Sequence, residues 1–465
     1  MSANDRTRHE RSRSALLLLI CTGLIMVPAF INGFPLVYSD TGTYLRSAFQ
    51  GFIPGDRPYW YGVFIRLTSL SGRTLWGVVL AQSLLCALYV LRFGDALLPS
   101  LRGRITTGAS VVLLSATTGL GWYACQLMPD LFTAVGALAV FLLLCGDARW
   151  WSRVLDTLVI VVACWVHSSH LVILPMIGLV LMVATRRSDP PLRRARTVWL
   201  MVSILSSWAG LAAANRAVDD EWYISRGGHA FLMGRSIDTG VLRPWLEEHC
   251  PAEHYGICAY IDSLPTSSKA FLWGANSPLA KQGGWEATRG EYGRIVLGTF
   301  TEPRFLLMQL RGSLASTARQ LSVWDITSEL ESTWYRTSDS PPYQMIAATM
   351  PHELASYRAS LQNGGKGELS LRWPDRAHRL ILLASLVFGS VLFFRERRTK
   401  GPVSDRVILV FAVATIIIDA WVCATLSAVE TRYLARAVWI LPFTVTVVAA
   451  RAFRRGRAAD LNSTH

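Results

Sequence analysis

The stretch YSDTGTY places Asp40 alone among hydroxyls and a glycine, just past an apolar run. A carboxylate at a lipid–water boundary is costly unless it has a partner or a task. One task is to take the proton of an attacking hydroxyl. The other is to cap a helix that would begin at Thr41 and carry Tyr44, Leu45 and Phe49, since Ser39, Asp40 and Thr41 are all good capping residues. Asp130 in QLMPDLF poses the same choice, because Pro129 followed by an acid is ordinary grammar for a helix start.

Groups that could meet an anion recur near these acids. In GDRPYWYGVF, Arg57 is followed by Tyr59, Trp60 and Tyr61, a set able to hold a sugar ring and a phosphate, or simply an interfacial aromatic helix. The tetrapeptide HSSH brings His167 and His170 to one turn, where imidazoles bind phosphate, orient a carboxylate, or serve as interfacial polar residues. AVETRYLARAVW carries Glu430, Arg432, Tyr433 and Arg436, and arginines in this turn suit an anionic partner such as a lipid phosphate. Asp419, mid-run in TIIIDAWV, reads as a proton-relay acid or as a structural hydrogen bond to a neighbouring helix.

The elements that must position these groups are membrane spans. Of 465 residues 51% are hydrophobic and 17% charged, the signature of a polytopic membrane protein. Runs long enough to cross roughly 30 Å of hydrocarbon cover residues 15–37, 75–94, 105–124, 130–146, 197–214, 378–394, 407–427 and 435–450, and 154–185 holds two short spans. An all-α protein of about ten transmembrane helices is expected. The formal charge of +14 does not indicate nucleic acid, because the arginines cluster at span ends. The clusters Arg6 to Arg13, Arg102 with Arg104, Arg186 to Arg196, Arg395 to Lys400 and Arg451 to Arg457 all fall on one face. By the positive-inside rule that face and both termini are cytoplasmic. The exception is the first outer loop, whose Arg46, Arg57, Arg66 and Arg73 need another explanation. The N-terminal run lacks a convincing small-residue cleavage site and reads as a retained span.

This gives a cytoplasmic tail at 1–14, a seven-span module at 15–214 with its outer loop at 38–73, and an extracytoplasmic domain of mixed structure at 215–377. A three-span module at 378–451 and a cytoplasmic tail at 452–465 complete the chain. The tract EPRFLLMQLRGSLASTARQL has amphipathic helical spacing and is expected on or near the membrane surface. Internal repeats of the kind found in many secondary transporters are not visible. Six of the eight cysteines lie in or beside spans as small apolar residues. Cys250 and Cys258 stand in an outer, oxidising region around a turn, which favours a local disulfide. His249 and His254 nearby offer a metal alternative, although C-x7-C matches no common zinc pattern.

The layout resembles the type C membrane glycosyltransferases that use polyprenyl-phosphate sugars. The likeness lies in YSDTGTY opening a long first loop, in DRPYWYGVF, in MPDLF, in seven spans before a large outer region, and in ETRYLARAVWILPF near the end. The aminoarabinose, galacturonosyl and mannosyl transferase relatives are the most similar in plan. The resemblance implies transfer of a sugar to a lipid, glycan or protein acceptor on the outer face of the cytoplasmic membrane. Asp40 and Asp130 would then be catalytic, with Arg57, His167, His170, Arg432, Tyr433 and Arg436 around the donor phosphate and lipid. Tyr44, Tyr59, Trp60 and Glu430 would line the sugar. The resemblance implies no obligatory cofactor, and a divalent cation, if used, would sit on Asp130 and His167. The family often pairs two acids in the first loop, whereas Asp40 has no acidic neighbour in sequence. An O-antigen ligase or polymerase, a transporter of lipid-linked sugar and a non-catalytic assembly protein are the competing readings.

Overall fold

The computed structural model describes residues 3–146, 149–186, 190–327, 330–331, 333–365, 367–395 and 403–463. Of the basic clusters, Arg187, Arg397, Arg398 and Lys400 lie outside the described residues. Among the described residues the fold is helical, with no strand and one parallel bridge, Leu36 to Gln126.

The chain opens with α1 (Ala3–Ile25), and two short helices, α2 (Thr41–Gln50) and α3 (Trp60–Thr68), occupy the first loop. There follow α4 (Trp76–Leu97), α5 (Leu101–Thr117), α6 (Leu131–Cys145), α7 (Trp150–Val166), α8 (His170–Ala184) and α9 (Pro190–Asp219). After a run of shorter helices come α10 (Pro303–Gln320), α11 (Arg372–Arg395), α12 (Asp405–Leu426), α13 (Thr431–Ala435) and α14 (Ile440–Ser463). Five helices, Trp76–Leu97, Pro191–Asp219, Arg372–Arg395, Asp405–Leu426 and Thr431–Arg457, are long and apolar enough to cross a membrane. Ser12–Ile25, Leu131–Cys145 and His170–Ala184 are apolar but shorter.

The sequence LFTAVGALAVFLLLC is apolar all round, and every residue of α6 is buried, so this helix is the bundle's axis. It packs on α4, α7 and α8. Gly136 permits the close approach, since a Cβ there would lie 2.8 Å from Leu174 and 3.2 Å from Ala163. Whatever stands at the N-terminus of α6 therefore stands at the centre of one end of the bundle, and that residue is Asp130.

Two expected spans end early. The run 15–37 is helical only through Ile25 and a short turn, Val27–Asn32; Gly33 then takes φ 79° and residues 34–38 extend. The extended backbone satisfies itself non-locally, as Leu36 N donates to Cys125 O (2.9 Å) and Leu127 N to Leu36 O (2.8 Å). Gln362 grips the other edge, accepting from Val37 N (2.9 Å) and donating to Val37 O (2.8 Å). The run 105–124 likewise breaks at Thr117 and resumes as Leu120–Ala124.

The region 215–377 corrects one expectation. It is helical rather than mixed among its described residues, since its Gly- and Pro-punctuated segments start short helices instead of pairing as strands. It also does not share one core. Residues from Ala230 to Phe305 form a core of their own, while those from Ile326 to Leu371 join the core of the spans. Cys250 and Cys258 are joined by a disulfide within the first of these units.

Candidate functional site

The stitched segment 34–38 delivers Asp40 to the end of the bundle beside the start of α6. Thr41 fixes the turn, its Oγ1 accepting from Tyr38 N (2.9 Å) and donating to Leu127 O (3.2 Å). The glycine of SDTGTY is a packing requirement, because a Cβ on Gly42 would fall 2.4 Å from Pro341 Cβ. Gly62 serves the same end between α2 and α3, where a Cβ would meet Ser47 Cβ at 2.6 Å.

Asp40 precedes α2, yet its side chain makes no capping hydrogen bond. Its carboxylate is bracketed by two guanidiniums instead: Arg57 Nη1 lies 2.8 Å from Oδ1 and Arg432 Nη1 lies 3.3 Å from Oδ2. All three side chains keep a wet face, with 21% of Asp40, 12% of Arg57 and 16% of Arg432 exposed. Arg57 is also held by Asp56, whose Oδ2 accepts from Nε at 2.9 Å. Arg432 is sandwiched between Tyr38 (4.6 Å to the ring centroid) and Tyr433 (5.0 Å), and Arg57 stands over Tyr44 (5.5 Å). Burial opposes ionisation of Asp40, but Arg57 and Arg432 outweigh it and hold the carboxyl below the usual aspartate range.

Beneath this open tier lies a sealed one. Asp130 makes no cap either; its Oδ1 accepts from Arg436 Nη1 at 3.1 Å. Arg436 Nη2 donates to Asp419 Oδ1 at 2.8 Å and approaches Cys423 Sγ at 3.1 Å. Arg436 and Asp419 have no exposed side-chain surface and Asp130 has 1%. One cation thus ties together α6, α12 and the α13–α14 junction.

Several expected site residues are placed otherwise. Arg436 is corrected from phosphate ligand to buried counter-ion, because its side chain, unlike that of Arg57, has no exposed surface and is enclosed with Asp130 and Asp419. Asp130, expected as a catalytic acid, is 1% exposed and faces that cation. His170 is fully buried, with Nδ1 on Ala163 O and Nε2 on Thr133 Oγ1, each at 2.7 Å, so no ring nitrogen is left for a ligand. His167 is partly exposed and touches the sealed tier, its Nε2 lying 3.4 Å from Arg436 Nη1 and its Nδ1 2.9 Å from Ser169 Oγ. Tyr433 joins the open tier, its hydroxyl 3.0 Å from Ser427 Oγ. Tyr44 is buried at the floor under Arg57 and edge-on to Tyr61 (4.8 Å). Trp60 donates Nε1 to Asn215 Oδ1 (2.9 Å) and Tyr59 packs edge-on against it. Glu430 contributes its backbone: Gln320 donates to Glu430 O (2.8 Å) and accepts from Glu430 N (3.0 Å), fixing the start of α13.

Asp56 is the second first-loop acid that sequence reasoning did not count. Its only signal was its position directly before Arg57. A divalent ion does not fit this donor set, since Asp40, Asp56, Asp130 and Asp419 each face a guanidinium. Among the described residues no three His, Cys, Asp or Glu side chains gather as a metal site. Of the remaining first-loop arginines, Arg46 stacks on Phe52 (4.0 Å to the centroid), Arg66 donates to Ala48 O (3.4 Å), and Arg73 is exposed, with its carbonyl 2.9 Å from His352 Nε2; of the four, Arg57 is the one paired to Asp40.

No family model, curated protein or solved structure matches the chain.

Proposed function

We propose that the protein is a membrane glycosyltransferase that moves a sugar from a polyprenyl-phosphate donor to a hydroxyl of a lipid, glycan or protein acceptor. The observation that carries this reading is the open tier: a half-buried carboxylate between two arginines, at one end of a bundle of apolar helices. A lipid phosphate and an acceptor hydroxyl both need what those three residues offer. The site would face the periplasm or exterior, in a chain crossing the cytoplasmic membrane about ten times with both termini inside. The basic clusters at span ends support that sidedness.

In this reading the donor's phosphodiester enters between Arg57 and Arg432 and replaces Asp40 as their counter-ion. Two guanidiniums then stabilise the charge that grows on the leaving phosphate. Asp40, relieved of its ion pairs, recovers basicity at the moment the donor is seated. The acceptor oxygen attacks the anomeric carbon, the bond from that carbon to the phosphate oxygen breaks with its electron pair, and the hydroxyl proton passes to Asp40. Polyprenyl phosphate leaves with both electrons, paired to Arg57 and Arg432. Tyr38 and Tyr433 keep Arg432 flat and aimed, and the sealed tier holds α13 in register beneath it.

Transport of a lipid-linked sugar is less well supported. Asp156 and Asp419, the acids a path through the membrane would use, are each locked to an arginine, Arg92 and Arg436. An O-antigen ligase or polymerase would use the same open tier on a diphosphate donor.

Analysis of lipid-linked sugars and surface glycans in a deletion strain tests the reading. A polyprenyl-monophosphate sugar is expected to accumulate while one glycan loses a single residue. Accumulation of a diphosphate-linked oligosaccharide would favour the ligase, and an unchanged profile of both would contradict the transferase.

A further inference from the structure

Helix α10, Pro303–Gln320, is built inside out relative to a water-exposed helix. The face it turns to the protein is largely polar: Ser313 Oγ meets Thr425 Oγ1 at 2.6 Å, Ser316 accepts from Arg235 (2.8 Å), and Gln320 grips Glu430. The face it turns outward carries Leu307 (49% exposed), Leu310 (53%) and Leu314 (67%), spaced i, i+3, i+7 on one stripe. In water that arrangement discards the apolar burial that normally holds a helix to a protein. In hydrocarbon it is the favourable one, because leucine faces acyl chains at no cost while polar groups find partners inside.

The helix also lies alongside a candidate span. It packs along α12, one of the helices long enough to span. Just past its end, Trp324 packs on a cluster of Leu382, Ala420, Leu434 and Val438. Ala420 stands six residues before the end of α12 at Leu426, about 9 Å down that helix at about 1.5 Å per residue. Arg311, exposed beside the stripe, is positioned to meet lipid phosphates as the leucines sink below them.

We propose that α10 is embedded in the leaflet at the site's end of the bundle, its leucine face dissolved in phospholipid acyl chains. This inference does not depend on the transferase reading. Its consequence is that the lipid itself seats α10, and α10, through Gln320 on the Glu430 backbone, seats the helix bearing Arg432.

The test uses the full chain with single replacements Leu310→Cys, Leu314→Cys and, as a water-exposed comparison, Glu248→Cys, each labelled with bimane. The labelled proteins are reconstituted in phosphatidylethanolamine and phosphatidylglycerol vesicles. The native free cysteines are all buried, so unsubstituted protein reports the background. Acyl-chain-brominated lipid is expected to quench bimane at 310 and 314 severalfold more than at 248, and aqueous iodide to do the reverse. Quenching of 310 and 314 by iodide but not by brominated lipid would overturn the proposal. So would shielding from both quenchers, which would mean that protein, such as a second copy of the chain, covers the stripe.

Discussion

Asp40→Asn is expected to insert and accumulate normally while transfer falls by about a hundredfold or more, the scale on which a positioned base is lost. The geometry sharpens this expectation, because the carboxylate caps nothing: α2 begins without a side-chain bond from Asp40. A lost cap therefore offers no explanation for a loss of function; the variant does give up the pairing with Arg57 and Arg432, and a complementation assay in the deletion strain, with abundance read by blot, separates that cost from the chemistry. Full complementation by Asp40→Asn at normal abundance would remove Asp40 from the reaction. The pH profile gives an independent readout. In the free protein Arg57 and Arg432 hold the Asp40 carboxyl below the usual range, so its carboxylate persists into acid, and kcat/KM, which reports the free protein, is lost only as pH falls through that lowered value. Arg57→Gln removes one of the two lowering charges. The acid limb of the variant's profile should move to higher pH. A limb that stays in place or moves to lower pH would show that Asp40 is not the titrating base.

The second large effect is one of folding. Arg436→Met leaves Asp130 and Asp419 buried and facing each other without the cation, and breaking such a buried pair costs about 3–5 kcal/mol. The expected result is low abundance and early aggregation when detergent-solubilised protein is heated and run on a sizing column. Combining Arg436→Met with Asp130→Asn and Asp419→Asn should recover much of that loss, because no buried charge then remains unpaired. Equal heat stability of Arg436→Met and the unchanged protein would mean that the sealed tier does not hold α6, α12 and α13 together.

The two tiers also show why parts of this site were legible in the sequence and others were not. Asp40 announced itself as a lone charge after an apolar run, and Arg57 and Arg432 as cations on the face where cations are scarce. Those are local signals, and the structure brings the three side chains into contact across 392 residues of separation between Asp40 and Arg432. What local reading could not decide was who pairs with whom. Asp419 looked expensive mid-span, and Arg436 looked available. Their mutual contact depends on the register of α12 against the α13–α14 junction, which no short motif encodes. His170 illustrates the same limit, since HSSH suggested two outward imidazoles and the tight turn instead buries one ring against the carbonyl of Ala163. The helical plan followed from hydropathy, but the early end of α1 did not. The apolar residues 34–37 are extended because distant partners, Cys125, Leu127 and Gln362, take their backbone hydrogen bonds. Apolarity alone cannot distinguish such a segment from the last turn of a span.

In the proposed reaction Arg57 and Arg432 form a seat for a lipid phosphate, from which Asp40 is displaced. Binding of a radiolabelled polyprenyl phosphate to the reconstituted full chain, compared with the Arg57→Gln/Arg432→Gln double variant, tests it most directly. Saturable binding is expected that uncharged polyprenol fails to displace and that the double variant, present at equal abundance, has lost. Undiminished binding by the double variant, or displacement by polyprenol as effective as by polyprenyl phosphate, would contradict it.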